Sequence, residues 1–247
     1  MTRLVRIEIL KLRTTPALYV ASLITLVLAV AGVTTTILLA GQGGTPAVGT
    51  VANVSKALQV SALTSMVMLV LGILSVAGEY RNRTIMSTFL AETRRGKVIV
   101  AKLLTTGALG AVLGGVTFGL ALAVALPVYA AKGVHSLPVD LRQMWIGCVL
   151  ASMCFGLLGV ALGALTRNTV GAIIGGLVWV QIVEVGILQS AVPSIAKWLP
   201  TGAGVAVTAG PDATTLLAPG VAAVVLVAWA AVLAVVATSV ISRSELR

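Results

Sequence analysis

Few residues in this chain can carry chemistry. There are seven acids, one histidine (His135) and two cysteines (Cys148 and Cys154) among 247 residues. No G-x-x-x-x-G-K-[ST] phosphate loop occurs, and neither does H-E-x-x-H, G-x-S-x-G or C-x-x-C. One histidine and two cysteines are too few for a tetrahedral zinc site. The cysteines lie six apart in one apolar run, about 600° of helix rotation, so they point apart as two separate thiols. Asp140, Asp212 and His135 fall in polar connections and read as solvated. No catalytic constellation, cofactor site or metal site is expected in the chain itself.

Two charged features remain. The first is the stretch 78–102, G-E-Y-R-N-R-T-I-M-S-T-F-L-A-E-T-R-R-G-K-V-I-V-A-K, which is flanked by apolar runs. It holds six of the seventeen basic residues (Arg81, Arg83, Arg94, Arg95, Lys97 and Lys102) and two of the seven acids (Glu79 and Glu92). Within it, residues 84–92 have the pattern of a short helix, with Ile85 and Phe89 four apart on one face and Met86 and Leu90 beside them. Thr93 and Gly96 end that run. A short amphipathic helix between two apolar runs is placed to be touched by something soluble. The second feature is Glu184, inside an apolar run, with Gln181 one helical turn before it. A carboxylate at membrane depth is costly and is a functional candidate by default. Two readings stay open: a polar group lining a pathway, or a protonated or paired group that ties helices together.

The elements that position these residues follow from composition. The chain is 58% hydrophobic with mean hydropathy +1.09 and only 10% charged residues. Soluble domains carry about a quarter charged residues, so the chain reads as an all-α membrane protein. Six apolar runs suffice to cross about 30 Å of hydrocarbon: 17–40, 57–77, 103–131, 144–165, 170–189 and 219–241. The first is too long for the core of a cleavable signal. The third exceeds the need and should tilt or project. Residues 1–16 form a basic segment with Val5, Ile9 and Leu12 on one stripe, read as an interfacial helix or a disordered basic tail. Thr15-Pro16 has the form of a cap and first-turn proline. Residues 41–56 and 132–143 read as loops. Residues 190–218, broken by Pro193, Pro200, Gly202, Gly204 and Pro211, suggest short helices that dip into the membrane and pack on protein. Trp198 is expected at headgroup level. The pairs Gly110/Gly114, Gly115/Gly119, Gly159/Gly163 and Gly171/Gly175 allow close helix approach.

The net charge of +10 is topological rather than a nucleic-acid signal, since aromatics are 4% and no basic stripe is interleaved with them. With the N terminus in the cytoplasm, thirteen basic residues fall on that side and four (Lys56, Lys132, Arg142 and Lys197) on the other. That asymmetry, with six spans, puts both termini inside.

The order of features resembles an ABC-2-type permease, the membrane subunit of a bacterial ABC exporter. The resemblance rests on a basic N-terminal helix, a span ending in Gly78-Glu79-Tyr80-Arg81, the T-I-x-x-T-F-L segment, Arg94-Arg95-Gly96-Lys97, and Lys102 opening the third span. The chain is especially similar to actinobacterial members, which often show G-E-Y-R-x-x-T-I with a following F-L and R-R. The topology covers the whole chain, and the motif is concentrated in 78–103. The chain departs at Glu92-Thr93, where many relatives have a proline-containing turn. The resemblance implies a single permease domain, 1–247, in the bacterial cytoplasmic membrane. Its parts would be an N-terminal interfacial helix (1–16), a coupling loop (79–102) and an outer re-entrant segment (190–218). It implies that Glu79, Arg81, Arg83, Ile85, Met86, Phe89, Leu90, Arg94, Arg95 and Lys97 serve coupling to a separate ATPase. Two ATPase copies would carry ATP and Mg, and a second permease, identical or paralogous, would complete the assembly. The cargo expected is apolar or amphipathic: a drug, antibiotic or other natural product, or lipid. The alternative is a six-span channel or solute carrier independent of ATP, which needs intramembrane charge pairs or internal repeats. Glu184 alone does not supply them.

Overall fold

A computed structural model describes residues 2–82, 84, 95–209 and 216–243. The described residues are helical, and six helices are long and apolar enough to cross a membrane: Pro16–Leu38, Val51–Arg81, Gly96–Ala131, Leu141–Thr166, Thr169–Ala191 and Pro219–Ile241.

Helix α1 (Thr2–Thr14) precedes α2 (Pro16–Leu38). Thr15 between them is extended, and Pro16 opens α2 where its missing N–H costs nothing. The Thr15 hydroxyl does not cap α2; it donates backward to the Lys11 carbonyl at 2.7 Å. The buried face of α1 also differs from the expected apolar stripe. Glu8 is buried, flanked by partly buried Leu4, Lys11 and Leu12, while Ile7, Ile9 and Leu10 stay exposed. A carboxylate, not an isoleucine, faces the bundle.

The second span begins earlier than hydropathy suggests. Helix α3 (Val51–Gln59) runs through a single 3-10 turn, Val60–Ala62, into α4 (Leu63–Arg81). Residues 51–56, read from sequence as loop, are therefore helical. Thr50 caps α3 by accepting from the Asn53 amide. Asn53 in turn accepts from the Tyr129 hydroxyl at 2.7 Å, deep between α3 and the third span. These tertiary hydrogen bonds offset the cost of burying polar groups there.

Helix α5 (Arg95–Ala131) is 37 residues long and starts eight residues before the apolar run at 103. At about 1.5 Å per residue it exceeds a hydrocarbon layer of about 30 Å. Its charged first turn stands beyond the apolar part. Helix α6 (Leu141–Thr166) is capped by Asp140, whose Oδ1 accepts from the Gln143 amide, and it ends on Arg167 in the left-handed region (φ 52°). Asn168 then caps α7 (Thr169–Val178). The chain continues through a wider π-helical stretch, Trp179–Leu188, and a last turn, Gln189–Ala191. After a short turn, Pro193–Ala196, helix α8 (Pro200–Thr208) inserts into the bundle, and α9 (Pro219–Arg243) closes it.

Helix α6 is the axis. Its apolar window is 67% buried inside the bundle, against 17% for α2, so α2 lies on the periphery. Glycine lets α6 come close to its neighbours. A Cβ on Gly72 or Gly159 would meet the facing backbone at Gly156 and Leu69, where α4 crosses α6. One on Gly110 or Gly114 would strike Ser152 and Cys148 across the contact of α5 with α6. Helices in lipid rely on such close van der Waals contact because lipid tails are as apolar as their side chains, so no hydrophobic force drives them together. The other expected pairs do not serve this purpose: Gly119 and Gly175 have nothing within 4 Å. Cys148 and Cys154 are both buried and form no disulfide.

Candidate functional site

At the end of the bundle that carries α1, four charged side chains from three elements meet. Lys102, one turn or two into α5, has its side chain only 1% exposed. Its Nζ donates to Glu8 Oε2 at 2.7 Å, to Glu79 Oε1 at 2.7 Å and to the Ser75 carbonyl at 2.9 Å. All three ammonium protons therefore have an acceptor. Lys11 completes the cluster, donating to Glu8 Oε1 at 2.9 Å and Glu79 Oε1 at 2.8 Å. Among the described residues, two lysines balance two glutamates in this cluster. Charges taken out of water are tolerated when paired and fully hydrogen-bonded, as here, and removing one partner leaves the rest uncompensated. Lys11 lies outside the spans. Its burial works to lower its pKa, but the hydrogen bonds and Coulomb attraction of Glu79 and Glu8 outweigh that and raise it above the ordinary lysine value.

The cluster thus pins α1 to the end of α4 and to the start of α5, the two helices that flank residues 83–94. Of the residues expected at an ATPase contact, Glu79 turns inward to the cluster, whereas Arg81 is exposed. Lys97 is half-buried in the first turns of α5. Arg83, Ile85, Met86, Phe89, Leu90 and Arg94 lie outside the described residues, and so does the side chain of Arg95. The short helix expected at 84–92 lies, Thr84 apart, outside them too. Sequence reasoning missed Glu8, Lys11 and Lys102 as one unit with Glu79. The available signal was Glu8, the lone acid of the basic first segment, and Lys102, a lone cation entering an apolar run.

A second polar site lies within the fifth span. Glu184 is 1% exposed. Its Oε1 accepts from Trp179 Nε1 at 2.6 Å, and its Oε2 accepts from the Thr201 amide at 2.9 Å. Thr201 is in the first turn of α8, whose N-cap position is Leu199 and supplies no side-chain acceptor. Glu184 therefore caps α8 from another helix, satisfying one of its orphan N–H groups. The π-helical stretch makes this possible. Its i→i+5 bonding widens the turn and brings Trp179 and Glu184, five apart, into contact. The same widening separates Gln181 from Glu184: Gln181 is exposed, so the expected shared face does not form. Trp229 on α9 donates to the Trp198 carbonyl at 2.9 Å, fixing the other side of the same connection. Beside Glu184 an apolar cleft of about 390 Å³ runs between α6, α7 and α9, with Leu162, Gly175, Trp179, Trp229 and Leu233 among its walls. Among the described residues, no group of histidine, cysteine or carboxylate side chains could hold a metal.

Six apolar helices around a glycine-packed axis, with a charge cluster at one end and a capped helix inserted at the other, define a multi-pass α-helical membrane protein. The family model described as ABC-2 family transporter protein matches residues 4–183, and the chain belongs to that family. The match takes in α1 and the first four spans and stops one residue before Glu184. No curated protein matches the chain. ABC-2 family membrane proteins are transport components that in general partner with ABC ATPases.

Proposed function

We propose that this protein is the permease subunit of an ATP-driven exporter in the bacterial cytoplasmic membrane, with both termini in the cytoplasm. The observation that carries the reading is the buried cluster Glu8–Lys11–Glu79–Lys102. It joins both helices flanking residues 83–94 to α1, so a force on that segment moves three elements together. In this reading the segment is the coupling helix, with Ile85 and Phe89 seated in a groove of the ATPase and Arg94 and Arg95 at its acidic rim. ATP binding closes two ATPases, and the docked ends of α4 and α5 follow. The bundle then exchanges inward-open and outward-open states. Phosphoryl chemistry, ATP and Mg belong to the ATPase. Two permeases, identical or paralogous, form the pathway. The largely apolar cleft beside Glu184 supports an apolar or amphipathic cargo, a drug, antibiotic or lipid, and α8 held by Glu184 would act as a positioned wall at the outer side.

The test is assembly. Co-expressed with its cognate ATPase and extracted in mild detergent, the protein should run in native mass spectrometry as two permeases with two ATPases. A permease that keeps its fold yet never retains the ATPase would refute the assignment.

A further inference from the structure

At the same end of the bundle as the charge cluster, a second basic feature is not used by it. Arg81 ends α4, and Arg167 is the left-handed residue closing α6. Both residues line one open notch of about 430 Å³ with Tyr80, Asn168, Thr169 and Val170. The Arg167 guanidinium lies over the Tyr80 ring, 6.0 Å from its centroid, which holds it toward the notch by cation–π attraction. Among the described residues neither arginine has a carboxylate partner. Two arginines that line one cavity with no carboxylate partner among the described residues favour an anion there, and the paired donors of a guanidinium fit phosphate oxygens.

The neighbourhood selects the kind of anion. Val170 lines the notch and is 58% exposed, and Ile174, one turn further along α7, is 57% exposed. The exposed apolar wall of the fifth span thus begins inside the basic notch. Thr166 and Gly171, one on each side of the notch in sequence, form the near end of the apolar cleft that runs to Trp179 and Glu184. A cationic pocket at a membrane surface that opens onto an acyl-sized apolar surface is the arrangement that recognises an anionic phospholipid. We propose that Arg81 and Arg167 hold the phosphate of an anionic phospholipid whose acyl chain lies along Val170 and Ile174. The resemblance assigns Arg81 to the ATPase; its position with Arg167 against this wall points to the lipid instead.

The experiment uses the full-length permease in nanodiscs of phosphatidylcholine with phosphatidylglycerol, transferred to mild detergent for native mass spectrometry. The wild type should retain phosphatidylglycerol in preference to phosphatidylcholine. Arg81→Gln with Arg167→Asn should lower that preference about tenfold. Asparagine accepts the left-handed backbone at 167 and both side chains are exposed, so the fold should survive, as size-exclusion elution will report. Arg81→Gln alone should lower it in the same direction. Glycerol phosphate in large excess should not displace the lipid, because it lacks the chain. Equal phosphatidylglycerol retention in wild type and variants would overturn the proposal, as would displacement by glycerol phosphate. Unchanged lipid retention with lost ATPase binding would make the notch a protein contact and overturn it too.

Discussion

Lys102 is where charge, burial and connectivity coincide. Replacing it with methionine keeps the bulk but removes the ammonium that bridges Glu8 and Glu79. Breaking such a buried arrangement from one side costs about 3–5 kcal/mol. Lys102→Met should therefore lower the unfolding midpoint in detergent strongly, and Lys102→Met with Glu79→Gln should recover part of the loss, because the stranded charge is gone. Additive effects in that double-mutant cycle would mean that the two side chains do not interact. Glu184 makes a different prediction. Both its oxygens accept, whereas glutamine offers one acceptor and one donor. Glu184→Gln must set an NH₂ against either Trp179 Nε1–H or the Thr201 amide, at a cost of about 1–3 kcal/mol. Hydrogen exchange at Thr201 should speed up in that variant and more so in Glu184→Leu. Unchanged protection in both would remove the capping role.

At the scale of elements, the glycine contacts separate packing from chance. Gly159→Val puts methyl groups into the Leu69 backbone and should destabilise the crossing of α4 and α6 by about 1–3 kcal/mol or push the helices apart. Gly119→Val meets open space and should be neutral. Thermal unfolding of the two variants side by side checks this. Hydropathy alone made the six spans legible, since an apolar run long enough to cross a bilayer has few other uses. The glycine pairs were legible only as candidates, because a small-residue spacing occurs often in spans and its partner helix is not written in it. Helix α3 was illegible for a related reason: Asn53, Ser55 and Lys56 look like loop residues until Tyr129 from the third span is seen bonded to Asn53. The Glu184 site was half legible. Its standing as a candidate followed from a carboxylate inside an apolar run, but the assumed 3.6-residue turn paired it with Gln181, and the π-helical stretch pairs it with Trp179 instead.

For the whole molecule, the basic asymmetry predicts both termini on the cytoplasmic side. In a background lacking Cys148 and Cys154, cysteines at Gln42 and His135 should be labelled from outside, and one at Ser244 should not. Labelling at Ser244 from outside would reverse the orientation. The coupling reading predicts that Phe89→Ala removes about 2–4 kcal/mol from the ATPase interface, seen as loss of co-purified ATPase while the permease still inserts. Retention of both assembly and transport would place the contact elsewhere.

The measurement that bears most directly on the central claim is ATP-driven uptake of a lipophilic fluorescent compound into inverted vesicles, with ATP turnover followed in the same vesicles. Uptake should require the permease, its cognate ATPase and ATP together. Lys102→Met with Glu79→Gln, which leaves no stranded carboxylate at 79, should leave the complex assembled and hydrolysing ATP but reduce uptake about tenfold, because the elements flanking residues 83–94 no longer move as one. Uptake that continues without ATP, or at full rate in that assembled double variant, would contradict the account.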